Sequence, residues 1–270
     1  MNKKALQAIS TQIMEKAKEC GASLVGMARV EDLKTSPSHF IHEKLPKYEG
    51  IGSINSEKIG KKEVEWPENA QSAIVIAIEH PKDKPELDWW KDGFAGGTEG
   101  NRILISIVGE LSEWLEKEKG MGTWKLPYHI EKGGIFLKDA AVLAGLGCIG
   151  KNNMVVTPEY GPRVRLRAFL TNKPFLSTGP RDFDPCRKCN MPCRKVCPQD
   201  AFKQRIYSEA NFGLAQLPGR DGAYDRLQCN IQMVRDKEGA LESPVTTANS
   251  GGKSVRYCRL CEFSCPVGRQ

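Results

Sequence analysis

The chain has 270 residues, 40% of them hydrophobic and 27% charged, with 40 Lys plus Arg against 33 Asp plus Glu for a formal charge of +7. That length can bury a sizeable core in one or two domains, and no apolar run approaches the ~20 residues that a membrane helix needs. A basic excess of this size is compatible with an acidic protein partner or a nucleic acid and demands neither.

Residues 4 to 19 put Leu6, Ile9, Ile13, Met14 and Ala17 on one helical face before Gly21, and no apolar signal segment precedes them, so a cytoplasmic location with reduced thiols is expected. Ser23 to Met27 reads as a short strand. Residues 31 to 62, broken by Pro37, Pro46, Gly50, Gly52 and Gly60, read as a long irregular excursion in which His39 and His42 are surface histidines. Ala73 to Ile78 is a continuous apolar run between prolines, the pattern of a strand buried on both faces. Pro81 to Gly100 reads as a polar, glycine-rich loop onto which Trp89 and Trp90 pack. A helix follows from about Arg102 to Lys119, closed by Gly120. Trp124 to Ile130 reads as a strand, Ile135 to Ala144 as a helix, and Val164 to Thr171 as a strand. This alternation predicts an α/β layer.

Between the last helix and strand lies Gly145-Leu146-Gly147-Cys148-Ile149-Gly150-Lys151-Asn152-Asn153. Closely spaced glycines let a backbone approach a flat or phosphorylated ligand, and Lys151 with Asn152 offers donors. The stretch is neither a P-loop nor a dinucleotide fingerprint, because the spacing and the G-K-[ST] ending are absent.

Eight of the ten cysteines fall in the last third, as Cys186, Cys189, Cys193 and Cys197-Pro198, then Cys229, then Cys258, Cys261 and Cys265-Pro266. Two-cluster ferredoxins supply thiolates as C-x2-C-x2-C-x3-C-P, the fourth cysteine reaching across to the other cluster. Eight thiolates suffice for two 4Fe-4S clusters. The first run carries one extra residue between Cys189 and Cys193. The crossed rule gives one cluster Cys186, Cys189, Cys193 and Cys265, and the other Cys197, Cys229, Cys258 and Cys261, with Cys229 the least supported by its surroundings. Disulfides would need an oxidising compartment. Structural zinc also uses paired C-x2-C units, although four thiolates so close together and ending in Cys-Pro favour iron. Arg181, Arg187, Lys188, Arg194, Lys195 and Arg205 surround the runs, and suit an acidic electron donor such as a ferredoxin or flavodoxin, or simply a solvated basic face. Cys20 and Cys148 are left over, as a helix-end or buried thiol.

The segment Ala141 to Phe175, with Thr157-Pro158-Glu159-Tyr160-Gly161 and the cysteine pattern, resembles the epoxyqueuosine reductase family and the related reductive dehalogenases. Gly21 to Ala28 and Ser72 to Pro81 extend the likeness over nearly the whole chain. The resemblance implies an α+β, nitroreductase-like corrinoid-binding domain over residues 1–180 and a ferredoxin-like double 4Fe-4S domain over 181–270. It implies cobalamin contacted by Gly145, Gly147, Cys148, Gly150, Lys151, Asn152 and Asn153, with Cys148 standing where the family has tryptophan. Glu131 falls where the family carries its proposed acid, an aspartate; it is read as a proton donor or as a surface residue beside Lys132. The family's helical repeats for tRNA do not follow the cysteines, so tRNA is not expected as a partner. The function implied is a cobalamin-dependent iron-sulfur reductase acting on an electrophilic small molecule, such as an epoxide or a halide, or on the corrinoid of another protein. The alternatives are a non-enzymatic electron carrier, delivering electrons to a partner, and, third, reduction of epoxyqueuosine in tRNA.

Overall fold

The computed structural model describes residues 3–45, 63–91, 97–242 and 253–268. Its helices are α1 (Lys3–Glu19), α2 (Val30–Lys34), α3 (Pro37–Lys44), α4 (Glu99–Lys119), α5 (Leu137–Leu143), α6 (Pro192–Lys195), α7 (Glu209–Phe212), α8 (Arg226–Glu238) and α9 (Leu260–Phe263). The strands are β1 (Leu24–Arg29), β2 (Ser72–Glu79), β3 (Trp90–Lys91), β4 (Thr123–Trp124), β5 (Cys148–Ile149), β6 (Val155–Val156), β7 (Val164–Thr171), β8 (Leu241–Glu242) and β9 (Lys253–Val255).

A four-stranded sheet in the order β1-β2-β7-β4 forms the centre, and every neighbouring pair in it is antiparallel. β2 is buried from Ser72 to Ile78, because helices cover both faces of the sheet. Its side chains alternate with the period of two that a pleated strand imposes. Ile74, Ile76 and Ile78 meet Ile13 and Ala17 of α1 and Leu104, Ile107, Leu111 and Leu115 of α4. Ala73, Val75 and Ala77 meet Leu33 and the alanines 140, 141 and 144. Small residues line this second face because the chain crosses it closely: a Cβ on Gly26 of β1 would lie 2.1 Å from the Ala144 carbonyl oxygen.

α4 begins where the Thr98 hydroxyl accepts a hydrogen bond from Asn101 N–H, and ends at Gly120 in the left-handed conformation, the two end signals expected of a well-bounded helix.

Four expectations need correction. Residues 31 to 45 are not irregular, since α2 and α3 occupy most of them; Pro37 opens α3 at the one helical position where its missing N–H costs nothing. His39 and His42 are buried, not at the surface. His39 Nε2 accepts from Phe136 N–H, and its ring packs edge-on to Phe136. Of Trp124 to Ile130, only Trp124 is strand; the rest runs irregularly into a 3-10 turn at Ile130–Lys132. Trp90 belongs to β3, paired with β9 near the end of the chain, and the Arg256 guanidinium covers the Trp89 ring at 4.1 Å. Pro46, Gly50, Gly52 and Gly60 lie outside the described residues. No helix among the described residues is long and apolar enough to cross a membrane.

Candidate iron-sulfur and redox site

The two cysteine runs fold alike. Each places a cysteine on a single helical turn, Cys193 on α6 and Cys261 on α9, and each turn ends before a Cys-Pro pair. Proline cannot continue a helix. α6 and α9 pack against each other, which brings the end of each run beside the start of the other.

Cys186, Cys189 and Cys193 from the first run and Cys265 from the second line one recess. Burial pushes the Cys193 thiol up to about 11, and the sulfurs of Cys265, Cys186 and Cys189 add to the shift. Cys261 rises to about 12 through burial and then the sulfurs of Cys229, Cys258 and Cys197. Cys229, the cysteine standing alone in sequence, exerts the largest effect of those three sulfurs. It is carried there by α8, whose first turn is capped by the Asp225 carboxylate. None of the ten cysteines forms a disulfide.

Among the described residues no three His, Cys, Asp or Glu side chains converge closely enough to hold a single metal ion. Soft thiolate donors suit iron-sulfur clusters or zinc, and two details fit sulfur-bearing clusters. Ala201 N–H points at Cys197 Sγ at 3.4 Å. The buried Asn152 side chain, on the wall of the first recess, has an Nδ2 with no acceptor.

A charge network ties the cysteine module to the sheet. Arg165 on β7 holds Asp88 Oδ1 at 2.8 Å and Glu262 Oε2 at 3.0 Å, while Arg259 reaches the same two carboxylates and donates to the His80 carbonyl oxygen. Glu262 is 3% exposed on its side chain. Two cations offset two anions, so the buried charge is balanced within the network. Burial works against the Arg165 guanidinium, but Glu262 and Asp88 hold its pKa above the usual value. The alternating arginines at and just before β7 therefore divide their tasks: Arg165 anchors this network, Arg167 donates to Asn101 at the start of α4, and Arg163, one residue before the strand, donates to the carbonyls of Val267 and Gly268 after Cys265-Pro266.

Glu131 is 5% exposed, so the surface alternative for it does not hold. It sits in the 3-10 turn with His129 Nδ1 at 3.6 Å from its carboxylate, and its charge is felt by Arg226 on α8. Arg226 in turn donates to the Tyr224 hydroxyl at 3.4 Å. Lys138 donates to the Asn153 carbonyl oxygen; desolvation lowers its ammonium to about 8, Asp139 partly opposing and Arg226 adding to the fall. Sequence reasoning missed Lys138, Tyr224 and Arg226. The only signal was that Arg226 precedes Cys229 by three residues.

The glycine stretch is spent on the chain itself. A Cβ on Gly147 would lie 2.1 Å from the Val156 carbonyl oxygen, and one on Gly145, at φ +70°, 2.6 Å from that of Thr178. Gly150 faces the Val156 side chain in the same hairpin. In the Cβ direction Gly145 and Gly147 therefore meet the chain's own backbone and Gly150 meets side chains of its own hairpin, so none of the three could carry a side chain there. Asn153 is likewise engaged, its Oδ1 accepting from Gly219 N–H, and the Lys151 carbonyl accepts from Arg194. Cys148 is buried, and desolvation pushes its thiol up to about 11; Arg220 opposes the rise, and Cys186, Asp184 and Cys265 add to it.

With this geometry in hand, comparison with known proteins finds relatives along most of the chain. The epoxyqueuosine reductase of Bacillus subtilis is 24% identical over 278 aligned positions, covering 97% of this chain and 64% of that protein. That of Lactococcus garvieae is 26% identical over 205, covering 73% and 57%. The solved B. subtilis enzyme, described with a catalytic aspartate loop swung out of its active site, superposes with a TM-score of 0.62 at 22% identity over 98% of this chain and 66% of its own. The chain has the epoxyqueuosine reductase fold. An epoxyqueuosine reductase bound to a tRNA stem loop gives 0.61 at 21% identity, covering 97% and 66%. A reductive dehalogenase described in terms of B12-dependent dehalogenation shares the fold at 0.57 and 18% identity, covering 96% of this chain and 31% of its own. The chain spans about three fifths of the length of the curated relatives it matches. No protein-family model matches the sequence.

Proposed function

We propose that this chain is an oxidoreductase of the epoxyqueuosine reductase type, passing single electrons through two 4Fe-4S clusters to an electrophilic substrate. One cluster would be held by Cys186, Cys189, Cys193 and Cys265, the other by Cys197, Cys229, Cys258 and Cys261. The observation that carries this reading is the sorting of eight thiols into two groups of four, each drawing on both runs. An acidic protein donor, such as a ferredoxin or flavodoxin, suits the exposed cations around them, among them Arg187, Lys188 and Lys195. Reduction of the substrate takes two electrons, delivered one at a time from that donor, with one proton where a carbon–halogen bond becomes C–H and halide leaves, and two where an epoxide becomes an alkene and its oxygen leaves as water.

Glu131 is the proton donor in this proposal. Its burial beside His129 and Arg226 holds the carboxyl away from bulk water, and its place in the chain corresponds to the acid of the resembling family. A corrinoid is the acceptor that the B12-dependent relative suggests; when bound it supplies a strongly reducing metal centre. Its seat would draw on the stretch from Gly145 to Asn153 by faces other than the Cβ directions of Gly145, Gly147 and Gly150, which the chain itself fills.

The test is turnover of an epoxide and an aryl halide with reduced methyl viologen as electron source, with and without added cobalamin. Substrate loss that depends on iron loading supports the reading, and Glu131→Gln lowers the rate by ~10²–10⁴-fold if the carboxyl supplies the proton. Electron uptake with no substrate consumed leaves an electron carrier. A second reading, reduction of an epoxide on tRNA, is favoured by the relative bound to a tRNA stem loop, and a gel shift with that stem loop tests it.

A further inference from the structure

Asn152 is 4% exposed and lies on the wall of the recess formed by Cys186, Cys189, Cys193 and Cys265. Its amide is oriented by the chain: Oδ1 accepts from Met154 N–H at 3.2 Å. Turning the amide over would set two donors against each other at that contact. The fork that remains, Nδ2, is buried and has no acceptor. A buried amide donor without a partner costs free energy comparable to a lost hydrogen bond, and a short hairpin that aligns the amide oxygen at the same time holds this donor in place.

We propose that Asn152 donates its side-chain N–H to a sulfur of the cluster held by these four cysteines, and thereby raises that cluster's reduction potential relative to the other. This rests on the iron-sulfur reading above. The physical reason is one of charge: each added electron makes the cluster more negative, so a donor bonded to its sulfur stabilises the reduced form more than the oxidised one. Ala201 N–H, at 3.4 Å from Cys197 Sγ, is a backbone counterpart at the other group. A side chain can be replaced without altering the backbone, so the two groups can be tuned separately.

The experiment is an anaerobic redox titration followed by electron paramagnetic resonance, on the unsubstituted chain and on Asn152→Leu. The expected result is a negative shift of one midpoint potential, corresponding to about a tenfold change in the reduced-to-oxidised ratio, ~59 mV for one electron. The second potential and the iron content should stay unchanged. Should Asn152→Leu fail to assemble, pulsed deuterium measurements on the unsubstituted chain in heavy water decide the matter. A strongly coupled exchangeable deuteron at the cluster held by Cys186, Cys189, Cys193 and Cys265, beyond those of the backbone amides, supports the bond; its absence overturns it. Two unchanged potentials in an iron-replete variant also overturn it. A chain that takes up no iron or sulfide removes the underlying reading instead, which the iron assay separates from failure of the Asn152 bond alone.

Discussion

The two groups of cysteines come from similar sequence and sit in different surroundings. Cys186, Cys193 and Cys265 are buried with only Cys189 partly open, whereas in the other group Cys258 is exposed and Cys197, Cys229 and Cys261 are half-buried. Arginines face the first group: Arg194 lowers the Cys193 thiol and Arg163 that of Cys265, against the larger effect of burial. Each group also has a carboxylate on a cysteine N–H: Asp184, paired with Arg220, accepts from Cys186 in the first, and Asp236 accepts from Cys258 at 2.7 Å in the second. Burial disfavours adding negative charge and neighbouring cations favour it. On the proposed iron-sulfur reading, the sheltered group would deliver electrons inward and the open one would receive them from outside. One motif used twice gives two environments, the first group sharing its recess with Lys151 and Asn152.

The largest effect that sharpens this contrast comes from removing a ligand on either side. Cys265→Ser and Cys258→Ser should each lose about half of the iron, taking ~8 to ~4 per chain, read by iron and sulfide assay, and a chelator should strip iron from Cys265→Ser faster because only the open group remains. Equal stripping rates in the two variants would break the contrast. Next is the network that fixes α9 beneath both groups. Glu262→Gln leaves Arg165 and Arg259 short of a buried partner, and should cost ~3–5 kcal/mol in denaturant unfolding while loosening both clusters together.

Two smaller effects lie in the sheet domain and serve as controls, since neither should change iron content. Burial lowers His39 to about 4 in the folded chain, against 6.5 as its reference value. The unfolded chain therefore binds the extra proton first. His39 contributes its full stability above pH 6.5 and loses it as pH falls toward 4, amounting to ~2 kcal/mol between pH 7 and pH 5. His39→Gln, which can still accept from Phe136 N–H, should flatten that slope in unfolding measured at the two pH values. Thr98→Ala removes the α4 cap and should cost ~1 kcal/mol in the same assay.

β2, α1 and α4 were legible because a continuous apolar run and a 3.6-residue period survive without tertiary information. α2 and α3 were hidden: α3 turns two histidines inward, which scrambles its period, and Pro37 looks like a breaker when it is a start. The short strand at Thr123–Trp124 exists only through pairing with the far end of β7, a long-range contact that no local pattern announces. In the site, the sorting of cysteines followed from the ferredoxin spacing, including Cys229 despite its isolation. The glycines are ambiguous in sequence, because close approach to a ligand and close approach to the chain's own backbone leave the same mark. Arg226 could not be read, since only folding brings α8 within reach of Glu131 and Lys138.

The claim at the centre is that eight thiols hold two cubane clusters in unlike surroundings. Anaerobic reconstitution, with iron, sulfide and zinc assays and an electron paramagnetic resonance redox titration, tests it directly. The account predicts about eight irons and eight sulfides per chain and two resolvable midpoint potentials. Stoichiometric zinc without sulfide, or a single cluster with four thiols still open to alkylation, would contradict it.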